Sequence, residues 1–337
     1  MKAAVLTQLN AALEIRDVGL TTLEFGQVLV RLSLSGICGA QLAEIRGEKG
    51  NSGHLPHLLG HEGCGIVEHT GAGVTRVKAG GKVVMHWRKA AGIESPLPTY
   101  KLGGGYINSG RVTTFNEQAI VSENRLTPVP SDTPDELCAL LGCSLSTALA
   151  TIEDEARLRF GESILIIGVG GLGANLILAA RLRQAGMIVA TDVHEEKATL
   201  ANKLGAQFFN GRMHWETARS LRRFDVIVDT SGHPGAIANA IPLLADGGRF
   251  VMVGQPQSPV ELVAPSHMFG AEGARIIATQ GGGFQPHRDI PRYVAMHQAG
   301  LLNVDGIVTD SVGLEDINAG LDLVRAGKAS RVMVKMG

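Results

Sequence analysis

GESILIIGVGGLGANLILAARLRQAGMIVATD, residues 161–192, decides the fold. A short apolar, β-branched run at 164–167 empties into Gly168-Val169-Gly170-Gly171-Leu172-Gly173. An apolar helical pattern follows through Leu176, Ile177, Ala180 and Leu182 and stops at Gly186. A second short strand, 187–191, ends at Asp192. Strand, glycine turn, helix, strand and acid come in the order that holds a dinucleotide. Gly168 lets the strand turn tightly, Gly170 admits a pyrophosphate to the backbone, and Gly173 lets the helix lie close to the sheet. The helix start at Gly171 and Leu172 offers unpaired N–H groups to phosphates. Asp192, 19 residues past the last glycine, is set to accept hydrogen bonds from free ribose hydroxyls and to repel a 2′-phosphate. That favours NAD over NADP, a preference tempered by Lys197 and Arg222 nearby.

The rest of the chain is consistent with an enzyme built around such a unit. A length of 337 residues suits two domains, because single cores usually stop growing before this size. A formal charge of −1 implies no nucleic-acid or membrane-surface partner. Aromatic residues make up only 4% while glycine reaches 44, which suits an α/β protein with many tight turns. The start, MKAAVLTQLN, lacks the apolar core and cleavage site of a signal peptide, and no apolar run approaches the roughly 20 residues of a membrane span. The expectation is a cytoplasmic protein whose four cysteines, Cys38, Cys64, Cys138 and Cys143, are reduced.

Residues 1 to about 135 read as β-rich, with strands at 1–6, 13–18, 28–35, 65–68, 82–85 and 115–121 and a brief helix around 41–46. A long loop rich in Gly, Pro and charge spans 87–111; loops of that length tend to be functional or disordered. A helix at 137–153 precedes the dinucleotide unit. Beyond it the pattern alternates helix 195–204, strand 224–229, helix 234–244, strand 249–254, a helix within 268–273 and strand 275–279. Such alternation argues for a doubly wound parallel sheet covered on both faces. The final stretch reads as helix 290–299, strand 304–308, helix 314–326 and strand 331–335. The expected division is a catalytic domain at 1–144, a Rossmann domain at 145–282, and a return to the catalytic domain at 283–337.

Cys38, His61, Glu62 and Cys143 are candidate metal ligands. Spacings of 23 and 82 residues are too wide for a zinc finger and suit a catalytic site assembled from separate loops. Two thiolates and an imidazole hold Zn²⁺ with one position open, and Glu62 is a fourth ligand or an acid behind the others. Chemistry alone leaves the plainer alternative open: two buried cysteines, a loop histidine and a surface glutamate, each common by itself.

The whole set resembles the medium-chain zinc-dependent alcohol and polyol dehydrogenases. The resemblance rests on Gly36-Ile37-Cys38-Gly39, Gly60-His61-Glu62-Gly63, Gly142-Cys143, the glycine turn with Asp192, Asp229 to Gly232 (with Ser231) in VDTSG, and Arg331. It spans nearly the full length in family order. It implies that Cys38, His61 and Cys143 bind one catalytic zinc, that a GroES-like, barrel-containing catalytic domain accompanies the Rossmann domain with the active site in the cleft between them, and that Arg331 reaches the cofactor's pyrophosphate. It also implies a homodimer or homotetramer, with 269–273 a candidate for the interface. The reaction expected is hydride transfer between an alcohol and NAD, with zinc polarising the oxygen.

Two departures qualify the resemblance. No cysteine lies between Cys64 and Cys138, so the structural zinc of many relatives is absent. Ala40 and Gln41 stand where relatives carry a proton-relaying Ser or Thr and often an Asp, so the hydroxyl proton is expected to leave through water, Glu62, His86 or a neighbouring substrate hydroxyl. His86-Trp87-Arg88-Lys89 follows the strand that borders the substrate pocket in the family, and predicts a polyhydroxy, cyclitol-like or anionic substrate. Cys64, Cys138, His54 and His57 read as packing or loop residues. Two other readings compete: a zinc-free NADPH quinone or enoyl reductase, and a catalytically silent NAD-binding protein.

Overall fold

Strand Gln27–Ile37 is the spine of the first part of the chain. Its alternation sends Val28, Val30 and Leu32 into one core with Val67, Val83, Met85, Val121 and Leu126, and Leu29 into another with Tyr100 and Ile120. That is the period-two division of a strand buried on both faces. It pairs antiparallel with Glu62–Thr70, Gln118–Ser122 and Val332–Lys335 in a seven-stranded sheet. The computed structural model describes residues 1–50, 54–212, 214–221, 223–256 and 259–337. It divides into two units, Met1–Ser144 with Gln285–Gly337, and Leu145–Phe284.

The second unit carries six parallel strands, in spatial order Gln207–Asn210, Met187–Asp192, Ser163–Ile167, Phe224–Asp229, Leu244–Met252 and Arg275–Ala278. Numbered along the chain this is 3-2-1-4-5-6, the doubly wound order whose reversal point lies beside the first strand. Ile164, Leu165 and Ile166 are fully buried in that strand, as a centre covered on both faces requires. Among the described residues no single helix is long and apolar enough to cross a membrane.

Several elements differ from the sequence reading. The helix expected at 137–153 is interrupted: Asp135–Leu141 stops, and Ser144–Ala150 starts afresh and runs into a π-helical turn at Thr151–Glu155. Strand 304–308 is absent, and the pairing strand is Asp310–Gly313, after the turn at Gly306. The segment at 87–111 contains a hairpin, Tyr100–Leu102 against Gly105–Ile107 around Gly103 and Gly104. Strand Gln207–Asn210 and helix Trp215–Leu221 lacked a clear periodic signature.

Candidate metal centre

Register brings the candidate ligands together. Ser35 lies opposite Gly63 in one antiparallel pair, so the strand ends place Cys38 beside His61. Val332 lies opposite Ile37 in another, so Arg331 comes beside Cys38 from nearly 300 residues away. Cys143 sits in the break between the two helices. The break belongs to the site's construction: a Cβ on Gly142 would meet the Met85 carbonyl at 2.4 Å and the Glu62 Cβ at 2.8 Å. Gly36 likewise leaves room for a neighbouring pair, since its Cβ would lie 2.7 Å from the Arg331 guanidinium and 3.0 Å from the Glu62 carboxylate.

One donor atom from each of Cys38, His61, Glu62 and Cys143 lies within 4.8 Å of the others. Zinc bonds of about 2.0–2.3 Å in a tetrahedron set donors about 3.3–3.8 Å apart, so the group closes on an ion with small shifts. The hydrogen bond from Cys143 holds the Cys38 thiol well below the usual range against the effect of burial, with His61 and Arg331 adding to it. The same contact, with burial and the Glu62 charge, pushes Cys143 up. Two sulfurs sharing one proton are a charge arrangement that a divalent cation relieves. Burial alone would lower the His61 imidazole, but the Cys38 thiolate, Glu62 and Glu44 reverse this and raise it. The S, N, S, O donor set therefore fits zinc.

Glu62 is fully buried, and burial pushes its carboxyl up despite Arg331. Arg331 pairs with it directly, donates to the Ile37 carbonyl at 3.1 Å and is 2% exposed. The guanidinium thus stands beside the metal cluster, where the strand register puts it. Gln41, fully buried, ties two ligand segments together. Its Oε1 accepts the Cys38 N–H at 3.0 Å, so its Nε2 is the atom 2.6 Å from His61 Nδ1. With Nδ1 accepting, a neutral His61 carries its proton on Nε2, the nitrogen that faces the sulfurs; holding a metal there requires that proton on Nδ1 and the Gln41 amide turned to accept it. Sequence reasoning noted Gln41 only as a departure; its spacing of three from Cys38, a capping distance, was the available signal.

His86 does not face a pocket. It is fully buried, with Nδ1 donating to the Arg88 carbonyl at 2.6 Å and Nε2 accepting from Thr127 Oγ1 at 3.0 Å. Both nitrogens are committed, which removes it as a proton exit. Trp87 does line a cavity with His61, together with Glu44, whose local sequence gave no sign of it, and His57, read above as a loop residue. Lys89 is exposed. Cys64 and Cys138 are free, buried thiols.

In the second unit the glycines have distinct work. Gly168 has φ +93°, and a Cβ there would meet Thr230 Oγ1 at 2.4 Å. A Cβ on Gly173 would lie 1.8 Å from the Gly168 carbonyl, so only hydrogen permits the helix Gly171–Leu182 its approach. Gly170 faces open space at the helix N-cap. Asp192 accepts from the Val169 N–H at 2.8 Å and the His194 N–H at 3.0 Å, placing its carboxylate at the glycine turn. Ser231 is exposed and donates to Asp229 at 2.6 Å. Lys197 is 4% exposed at the start of helix Lys197–Leu204, buried and not turned to solvent beside Asp192. Arg222 lies outside the described residues.

Two family models match the chain: an alcohol dehydrogenase GroES-like domain over residues 24–131 and a zinc-binding dehydrogenase over 171–298. Alcohol dehydrogenase 6 of Peromyscus maniculatus is 26% identical over 99% of this chain and 97% of its own length. An S-(hydroxymethyl)glutathione dehydrogenase of Paracoccus denitrificans is 26% identical over 99% of both chains. Among solved structures, an alcohol dehydrogenase zinc-binding domain protein from Burkholderia ambifaria superposes with a TM-score of 0.91 at 24% identity, covering 100% of this chain and 98% of the other.

Proposed function

The chain belongs to the medium-chain, zinc-type alcohol dehydrogenase family, and from that premise we propose that it interconverts a polyhydroxy or sugar-like alcohol and its carbonyl with zinc and NAD. The observation that carries the reading is the convergence of Cys38, His61, Glu62 and Cys143 within 4.8 Å.

Cys38, His61 and Cys143 hold the metal, and Glu62 stands behind as a fourth, exchangeable donor. When bound, zinc acts as a Lewis acid toward the substrate oxygen. NAD, when bound, accepts the hydride. Arg331 offsets the charge of Glu62 and so lets a carboxylate stay buried next to two sulfurs. Gln41 fixes the His61 ring. The turn from Gly168 to Gly173 presents backbone N–H groups to the pyrophosphate, and Asp192 takes the ribose hydroxyls. With no hydroxyl at Ala40 and His86 committed elsewhere, the alcohol proton leaves by water or a neighbouring hydroxyl of the substrate. The active protein is a homodimer or homotetramer of the cytoplasm. The zinc-free reductase reading is disfavoured by the ligand cysteines and by alcohol-dehydrogenase relatives along the full length.

The test is NADH formation over an alcohol panel, with metal content measured on the same sample. Bound zinc near one ion per chain, and activity lost in Cys38→Ala and His61→Ala, are expected. Full turnover by metal-stripped protein overturns the reading.

A further inference from the structure

A cavity of about 200 Å³ in the first unit lies beside His61, with Trp87 on its lining from one stretch of chain and Gly110, Arg111 and Val112 from another. The two stretches meet at a residue that is not itself on the lining. Glu94 Oε1 accepts from Arg111 Nη1 at 2.5 Å and from Arg125 Nη2 at 2.8 Å, and Oε2 accepts from Asn124 Nδ2 at 3.2 Å. Arg125 Nη1 then donates to the Trp87 carbonyl at 2.5 Å. A single carboxylate oxygen thus ties the Trp87 side of the cavity to the Arg111 side.

We infer that Glu94 is a positioning residue for the proposed reaction: it fixes the Trp87 and Arg111 walls of this cavity, and through them where a substrate sits relative to the metal cluster. The inference rests on the proposed reading of that cluster as the active site. Burial separates this clamp from an ordinary surface pair. Arg111, with its side chain 55% exposed, would by itself make a contact of the kind that contributes little. The Arg125 side chain is 7% exposed, and a buried cation that loses its carboxylate is left uncompensated at high cost. Among the described residues Glu94 is its one ion-pair partner, and its Nε makes no hydrogen bond. The hydrogen bond from Arg125 in turn holds the Glu94 carboxyl below its usual range against burial, so the pair stays charged near pH 7.

Trp87 needs such an anchor. Its indole Nε1 is buried and, among the described residues, without a partner, so no hydrogen bond of the ring sets its place. The Arg88 guanidinium lies 4.9 Å from the ring centre, a contact that follows the ring and does not fix it to the rest of the wall. His86 Nδ1 donates to the Arg88 carbonyl at 2.6 Å, which closes the bend around Trp87 on itself. The Arg125 contact to the Trp87 carbonyl joins that bend to the Arg111 side, and Glu94 supplies the counter-charge that keeps Arg125 in place.

The chain has two tryptophans, Trp87 and Trp215. Trp215 packs edge-on against Phe209 at 5.4 Å in the other unit, so Trp215→Phe leaves Trp87 as the sole indole reporter. In that background Glu94→Ala is expected to raise acrylamide quenching of Trp87 emission at least about twofold, with zinc content at the parent level. If Glu94→Ala does not fold, Glu94→Gln, which keeps the volume and removes the counter-charge, is read in the same way. Arg125→Met is expected to give the same rise, and the double variant no more than either one, because the two groups act in series. Unchanged quenching, or effects that add, overturns the inference. In the zinc-loaded enzyme, Glu94→Ala is expected to raise KM about tenfold or more for the alcohol of the panel with the highest parent kcat/KM, and to leave KM for NAD within about twofold. An equal rise in both, or loss of zinc, marks a general loosening of the unit and also overturns it. Failure of the underlying dehydrogenase reading looks different: the parent forms no NADH from any alcohol, while the quenching comparison still reads the clamp.

Discussion

Gln41 is the residue at which this chain's metal centre is most its own. A carboxylate there would accept a proton-bearing Nδ1 from His61. The amide, with Oε1 held by the Cys38 N–H, donates to Nδ1 in the metal-free cluster, and must turn to accept from Nδ1–H when Nε2 holds an ion. Removing it in Gln41→Ala frees both ligand segments at once. Zinc affinity is expected to fall about 10–100-fold by chelator competition, with broadened visible bands in the cobalt-substituted protein. Gln41→Glu, which accepts from both partners, is expected to restore binding; unchanged affinity in Gln41→Ala would show that the contact positions nothing. His86 gives a second residue-scale prediction. Burial is the main cause that lowers its pKa from 6.5 to about 4. The folded state therefore refuses a proton that the unfolded chain takes up below 6.5. The stabilisation is complete above that value and is lost as pH falls from 6.5 toward 4, reaching about 3 kcal/mol. Thermal unfolding across pH 7 to 4 should show this slope in the parent protein and a shallower one in His86→Gln; parallel curves contradict the assignment.

Elements were legible where a period was long or a turn had distinctive chemistry. The glycine turn and its flanking strands follow from Gly168, Gly173 and Asp192, because only glycine fits a 1.8 Å approach to a carbonyl. Cys38 and His61 were legible as candidates, but their meeting depends on Ser35 pairing with Gly63, a register no local pattern states. The same holds for Arg331: its place beside Cys38 follows from the pairing of Val332 with Ile37. The helix at 137–153 continued in pattern through Cys143, while the crowding of Gly142 against Met85 and Glu62 is tertiary. The segment at 87–111, lacking cysteines, looked like loop because its anchors are remote. Glu94 pairs with Arg125 at 2.8 Å. Glu123 accepts from the Thr75 and Arg76 N–H groups at 2.6 Å and from Ile93 at 3.0 Å. Tyr100, fully buried, accepts the Ile120 N–H at 2.7 Å, and burial pushes its phenol up to about 12. These contacts hold the segment by packing and hydrogen bonds. Tyr100→Phe leaves a buried N–H unpaired and is expected to cost about 1–3 kcal/mol in denaturant unfolding, with zinc content unaffected. A loss of zinc alongside stability would tie the hairpin to the metal centre.

At the scale of the whole molecule, the six-stranded sheet ends, among the described residues, on an open edge. Arg275–Ala278 pairs on one side with Leu244–Met252 and is the last strand in the order. An unpaired edge is a template for another chain, and proteins that leave one bare usually cover it by design. The apolar side chains near it are exposed: Ile276 by 37%, and Phe269 by 79% just before the strand, where the Ala274 N–H donates to the Met268 carbonyl. A net charge of −1 sets little repulsion between copies. Pairing of this edge with itself about a two-fold axis closes the assembly, because each copy offers the same surface. Sedimentation velocity should therefore give at least twice the 35.4 kDa of one chain. Phe269→Lys with Ile276→Lys, both on exposed positions and remote in sequence from the zinc donors, should halve the mass of a dimer or split a tetramer into dimers. A parent protein that sediments as a single chain, or a doubly substituted one that keeps its mass, removes the edge as the interface and leaves the exposed Phe269 unexplained.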